Sequence, residues 1–292
     1  MQAAILPGGR LHLNDGPIDL VIGADGDPAN VRRAYATASA RFASALDELC
    51  EELSLLRHAM TPQGPAPARA IARRMDRATR PLCADRFLTR MAAVAGAVAD
   101  EILTAMIAAP LRRAYVNNGG DIALHLAPGE SFSIGLVDRP DAPRLFGDAR
   151  ISFDDDIRGV ATSGWRGRSF SLGIADAVTI LARDAACADA AATLVANAVD
   201  LPDHPGIVRV PARDLDPQSD LGSRLVTRGV GALSQHEIAR ALGSGAVEAE
   251  RLVGCGAIAA AALHLGGATR IVGRIPLANI ATKRGLNRGT GA

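Results

Sequence analysis

The feature that most constrains this chain is a long succession of short β-branched or alternating segments separated by breaks that carry Gly, Pro and Asp. Ala114–Val116, Ile122–Leu126, Phe132–Val137, Ala149–Phe153, Gly159–Thr162, Ser169–Leu172 and Ala177–Ala182 each read as a strand. Helices first and then consecutive strands argue for α+β over an alternating βαβ fold. A meandering, largely antiparallel sheet is expected.

Helical patterns flank this run. Ile18–Ala24 alternates as a strand, and Asp25-Gly26-Asp27-Pro28 then forms a turn in which Asp27 caps and Pro28 opens a helix. Val31, Tyr35, Ala38, Phe42, Ala45, Leu49, Leu53 and Leu56 recur every three or four residues and predict one long helix with a single buried stripe. Thr61–Pro67 holds Pro62, Pro65 and Pro67 and reads as an extended linker. Helices follow over Ala68–Thr79 and Phe87–Ala108, the second containing Gly96, where backbones can approach closely. Beyond the strands come helices over Ala185–Val199 and around Gln235–Ala241, then a strand near Thr269–Gly273. Leu252–Leu265 reads as a buried helix, too short and too interrupted by Gly254, Gly256 and His264 to span a bilayer. The expected fold is α+β in a single domain over residues 1–292, helical over about 28–110 and sheet-rich over about 111–292.

Composition narrows the function. Apolar residues make up 48% and aromatics only 3%, so the core must be built from Ala, Leu, Val and Ile. A net charge of +1, with no basic run, excludes a nucleic-acid backbone as partner. The arginines between Val31 and Met91 are interleaved with Asp47, Glu48, Glu51 and Glu52, as on solvated helix faces. Cys50, Cys83, Cys187 and Cys255 form no CxxC pair and read as buried thiols. The six histidines lie apart, with no patterned Ser or Cys that would make a nucleophile and its base. Met1–Arg10 lacks a basic start followed by an apolar stretch, which points to a cytoplasmic protein without a membrane partner.

Three segments stand out chemically. In Asn117-Asn118-Gly119-Gly120-Asp121-Ile122 the paired glycines allow either a tight hairpin turn or a ligand lying on the main chain. Thr162-Ser163-Gly164 offers two hydroxyls at a strand end, suited to a phosphate or a ring carbonyl. In Ala188-Asp189-Ala190-Ala191-Ala192-Thr193 the carboxylate and hydroxyl share one helix face. They can hold magnesium with further oxygens, or Asp189 can favour the helix dipole while Thr193 bonds back to a carbonyl. Trp165 can cover a ring bound at Thr162–Gly164 or simply fill a gap in an alanine-rich core.

In this order the segments resemble the ApbE-like flavin transferases, whose motifs run Gly-Gly-Ile-Ala-Lys-Gly-Tyr-Ala-Val-Asp, Asn-Ala-Gly-Gly-Asp-Ile, Ala-Thr-Ser-Gly and Ala-Asp-Ala with a Thr four after the Asp. The corresponding places are Met91–Asp100, Asn117–Ile122, Ala161–Gly164 and Ala188–Thr193. The Gly16-Pro17-Ile18-Asp19-Leu20 segment is similar to that of the superfamily's short branch. The resemblance implies a T-fold-like ApbE-like architecture. It also implies FAD or FMN held at Asn118, Gly119, Gly120, Asp121, Thr162, Ser163 and Gly164. Magnesium would be bound by Asp189 and Thr193, which would also serve the chemistry, with a carbonyl near Val94 completing the site. The activity implied is magnesium-dependent transfer of the FMN half of FAD, a phosphate-containing ligand, onto a threonine of a protein acceptor. The alternative is a flavin- or phosphate-compound-binding accessory protein in sulfur or one-carbon metabolism. Two places depart from the pattern: Ala95 stands where the family has lysine, and Ser169–Asp176 stands where a His-Ile-Asp-Pro-Arg-Thr-Gly segment is expected.

Overall fold

The computed structural model describes residues 1–137, 145–274 and 277–280. The chain opens with β1 (Gln2–Leu6), β2 (Arg10–Asp15) and β3 (Ile18–Asp25), then α1 (Pro28–Phe42), α2 (Ala45–Glu51), α3 (Leu53–Arg57) and α4 (Ala70–Thr79). After α5 (Val94–Met106) come β4 (Arg113–Asn118), β5 (Asp121–Leu126), β6 (Ser131–Val137), β7 (Leu145–Ser152), β8 (Gly159–Ser163) and β9 (Ala177–Ala182). The remainder is α6 (Ala185–Ala198), β10 (Ile207–Pro211), α7 (Ala212–Leu215), β11 (Leu225–Val230), α8 (Gln235–Gly254), β12 (Ala260–Leu265), β13 (Ala268–Gly273) and β14 (Leu277–Ile280).

Nine strands form one sheet in the order β1-β2-β3-β4-β5-β8-β9-β12-β13, and every neighbouring pair is antiparallel. The α+β reading therefore holds. The sheet draws more widely on the chain than the strand run suggested, because only β4, β5, β8 and β9 fall within Ala114–Ala182. Alternation along β4 shows how the layers are sorted. Ala114, Val116 and Asn118 turn toward the helices, while Tyr115 turns to the opposite face, which β6 and β7 cover with Phe132, Ile134 and Ile151.

Four predicted elements are corrected. The long helix over residues 28–56 is broken near Ala43 and Glu52 into α1, α2 and α3, although the buried stripe persists through Ala34, Ala38, Phe42, Ala45, Leu49 and Leu56. The helix expected from Phe87 begins at Val94, after a 3-10 turn over Arg90–Ala93. Ser169–Leu172 is loop rather than strand. The Ser171 carbonyl accepts from Thr227 N–H, and Leu172 N–H donates to Asn197 Oδ1. Leu252–Leu265 is the end of α8 followed by β12: the helix stops at Gly254, Gly256 takes a φ of +72°, and Ala260–Leu265 is a strand buried on both faces. A run of apolar residues with no period fits a buried helix or a buried strand equally well.

The cysteines also differ from expectation. Cys83 is buried and Cys187 half-buried, but Cys50 and Cys255 are exposed. Asp27 caps α1 as predicted, accepting from Ala29 N–H and Asn30 N–H. No helix among the described residues is long and apolar enough to cross a membrane.

Candidate functional site

The Asn-Gly-Gly-Asp segment is the hairpin turn between β4 and β5, with Asn118 paired to Asp121 across it. Gly119 (φ +66°) and Gly120 (φ +116°) adopt backbone conformations that a β-carbon disfavours. Asn117 Oδ1 accepts from Gly120 N–H at 2.8 Å and locks the turn. Asn118 points inward, donating to the Ala95 carbonyl at 3.1 Å, and so fastens the turn to the start of α5.

β8 lies beside β5, bringing Thr162-Ser163-Gly164 to the same sheet end. Thr162 N–H donates to Asp121 Oδ1 at 3.3 Å, and the Thr162 hydroxyl is hydrogen-bonded to that of Thr179 at 2.9 Å. Gly164 presses on the next segment, where a β-carbon would stand 2.6 Å from the Asp176 carbonyl oxygen. Trp165 donates its indole N–H to Asp176 and lies outside the cleft wall described next.

Helix α6 supplies the third component. Asp184 caps it through Cys187 N–H at 2.7 Å, and Asp189, Thr193 and Asn197 then follow at successive turns on one face. Asp189 Oδ2 accepts from Gly96 N–H, in the first turn of α5, at 3.0 Å. The two helix starts can meet because Gly96 has no side chain: a β-carbon there would lie 2.2 Å from the Ala185 carbonyl oxygen.

These parts surround a cleft of about 370 Å³. Of the ten residues singled out from the sequence, Val94, Asp121, Ser163, Asp189 and Thr193 line it. Asn118, Gly119, Gly120, Thr162 and Gly164 do not; they stand behind the wall and hold it in shape. The sequence reading missed Arg57, Phe87, Arg168, Phe170 and Asn197. It also missed the loop Asp216–Leu221, tied across the cleft by the Thr89 hydroxyl donating to Asp220. Asn197 carried a signal, since it extends the four-residue polar spacing of Asp189 and Thr193. The others carried none, because they reach the cleft through loops.

The electrostatics are dominated by carboxylates away from water. Burial pushes Asp121 up to about 7, with Thr162 N–H and the Arg168 charge pulling the other way. Asp189 is held well above the usual carboxylate range by burial first and by the charge of Asp121 second, against hydrogen bonding from Gly96 and Ala95 N–H. Two carboxyls that repel each other in one cleft and a hydroxyl one turn along from Asp189 offer the hard oxygen donors that a divalent cation takes. Among the described residues no cluster of three or more His, Cys, Asp or Glu forms an all-side-chain cage. Such an ion would keep positions for water or phosphate oxygens.

Comparison with known proteins agrees with the motifs. A UPF0280 protein of Methanopyrus kandleri is 40% identical over 129 residues, 44% of this chain and 48% of that protein. One of Methanothrix thermoacetophila is 42% identical over 110 residues, 37% and 45% respectively. The chain spans about half the length of the curated relatives it matches. Among solved structures, a variant of the flavin transferase ApbE from Vibrio cholerae overlaps 90% of this chain and 96% of its own, at 11% identity and a TM-score of 0.48. That overlap is too loose to align single residues. The family model described as AbpE bacteria matches residues 3–271, and the chain belongs to that family.

Proposed function

We propose that the cleft binds a flavin dinucleotide through its phosphates and, with magnesium, transfers the FMN half to a hydroxyl of a protein acceptor. One observation carries this reading: Val94, Asp121, Asp189 and Thr193, from α5, β5 and α6, converge on one cleft. Phe87 and Phe170 add two rings to its wall in a chain with only 3% aromatics, and so offer an apolar surface to a flavin.

In this reading Asp189, Thr193 and the Val94 carbonyl would hold the metal. Magnesium, when bound, neutralises charge on the pyrophosphate oxygens. The acceptor oxygen bonds to the phosphorus on the flavin side. The bond from that phosphorus to the bridging oxygen breaks, and AMP leaves with the electron pair. Asp121, whose burial brings its proton exchange close to neutral pH, is placed to take the hydroxyl proton.

Ala95 favours a second reading. It puts a methyl on the cleft wall, and no ammonium stands there to assist cleavage. Under that reading the protein binds the flavin or a related phosphate compound without transferring it, as an accessory protein in sulfur or one-carbon metabolism.

The test is a titration of FAD against the wild type and Asp189→Asn, each with magnesium and with a chelator. A magnesium-dependent affinity that Asp189→Asn abolishes supports the site; equal affinity in all four conditions removes it. Mass spectrometry of a threonine-bearing acceptor incubated with FAD then separates transfer from binding alone.

A further inference from the structure

Lys283 is the only lysine in the sequence and lies outside the described residues. Among the described residues, any fixed positive side-chain charge offered to an anion in the cleft therefore comes from arginine. The cleft holds four carboxyls, Asp121, Asp189, Asp216 and Asp220, against two guanidiniums, Arg57 and Arg168. An anion entering it needs a well-aimed cation, because the remaining field repels it.

Arg168 is the one aimed. Its guanidinium lies directly on the backbone of Gly119, so that a β-carbon at that position would come within 1.7 Å of Nη2. Gly119 is thus bare for two reasons, its φ of +66° and the cation seated on it. From this seat the Arg168 charge favours the ionised form of the neighbouring Asp121, against its burial. Among the described residues the guanidinium has no hydrogen-bonded or ion-paired partner, so its donors remain open. The loop that delivers it is fixed at its base: Gly164 is packed on the Asp176 backbone, and Trp165 and Arg166 both donate to the Asp176 carboxylate.

We propose that Arg168, seated on Gly119, is the phosphate-pairing residue of the cleft and selects for phosphorylated over unphosphorylated flavins. The planar fork of arginine can take two oxygens of one phosphate, which a point charge cannot do. The assignment rests on the flavin reading for the ring but not for the phosphate, and the experiment separates the two.

FMN, riboflavin and inorganic pyrophosphate are titrated, with magnesium, against the wild type, Arg168→Ala and Arg168→Lys. Removing one charge-assisted contact should weaken FMN and pyrophosphate about tenfold or more in Arg168→Ala while leaving riboflavin unchanged. Arg168→Lys should recover part of the loss. Equal weakening of FMN and riboflavin would show a structural role only and overturn the assignment. So would unchanged binding of FMN and pyrophosphate. Arg168-dependent pyrophosphate binding without any flavin binding would retire the flavin reading and leave the phosphate assignment standing. A wild type that binds none of the three probes overturns both.

Discussion

Asp100 on α5 and Asp189 on α6 each cap the start of the other's helix. Asp100 accepts from Ala185 N–H and Ala186 N–H at 3.1 and 2.9 Å, and Asp189 accepts from Gly96 N–H at 3.0 Å. Each carboxylate satisfies donors that a helix start leaves open and sits at the favourable end of the opposing dipole. The two helices that frame the cleft are therefore locked at their starts, and the lock includes a residue of the cleft itself. Asp100→Ala should lower stability by about 2 kcal/mol in urea unfolding, because two helix-start N–H groups lose their acceptor. It should also weaken magnesium-dependent binding at Asp189, which it does not touch.

The same burial predicts how stability follows pH. Asp100 is raised from 3.8 to about 7, by burial first and the charge of Asp184 second, and Asp121 is also raised to about 7. Between about pH 4 and 7 the folded state binds more protons than the unfolded chain. This contribution is complete below about pH 4 and is lost as pH rises through 7. The melting temperature should accordingly fall between about pH 5 and pH 8, and less steeply in Asp100→Asn. Added magnesium should raise it at pH 8 and barely at pH 5, since only ionised carboxylates hold the metal.

Gly96→Ala tests the contact between α5 and α6. The added methyl would meet the Ala185 carbonyl oxygen at 2.2 Å, and backbone cannot swing aside as a side chain does. A loss of about 3 kcal/mol is expected, despite the better helix propensity of alanine. A neutral or stabilising result in denaturant unfolding would contradict this packing.

The linker between α3 and α4 is held by two arginines that share Asp76: Arg80 donates to the carbonyls of Thr61, Pro62, Gly64 and Pro65, and Arg90 closes the set from inside. Arg90, only 2% exposed, donates to Asp76 at 2.7 Å and to the carbonyls of Leu55 and Pro65. Asp76 keeps Arg80 as a second partner, so Arg90→Ala should cost about 3 kcal/mol, the low end for a broken buried pair. Limited proteolysis should show faster cleavage within Thr61–Pro67.

The sequence made the strands of this protein easier to read than its cleft. β3, β4, β5 and β9 are local patterns, and so is the Asp27 cap of α1. β12 was misread because Ala260–Leu265 is apolar on both faces and has no period to distinguish strand from helix. Its identity is decided by pairing with β9 and β13, partners far away in sequence or hidden behind a turn. The cleft divides in the same way. Asp189 and Thr193 could be paired by helical spacing alone. Arg168 on Gly119 and Asp220 on Thr89 are joined by loops whose paths no local pattern specifies.

The order of the large sheet also bears on how the chain assembles as it leaves the ribosome. β9 is buried along its whole length, yet one of its edges waits for β12, whose residues are made some eighty positions later. Until then a nascent chain displays an open, largely apolar strand edge, the feature most prone to pairing with a neighbour. The non-local β9–β12 pairing makes closure slow relative to the hairpins on the opposite side of the sheet. Truncation before Ala260 should accordingly yield aggregates rather than a smaller folded unit, and a strand-breaking proline at Ala262 should do the same in the full-length chain.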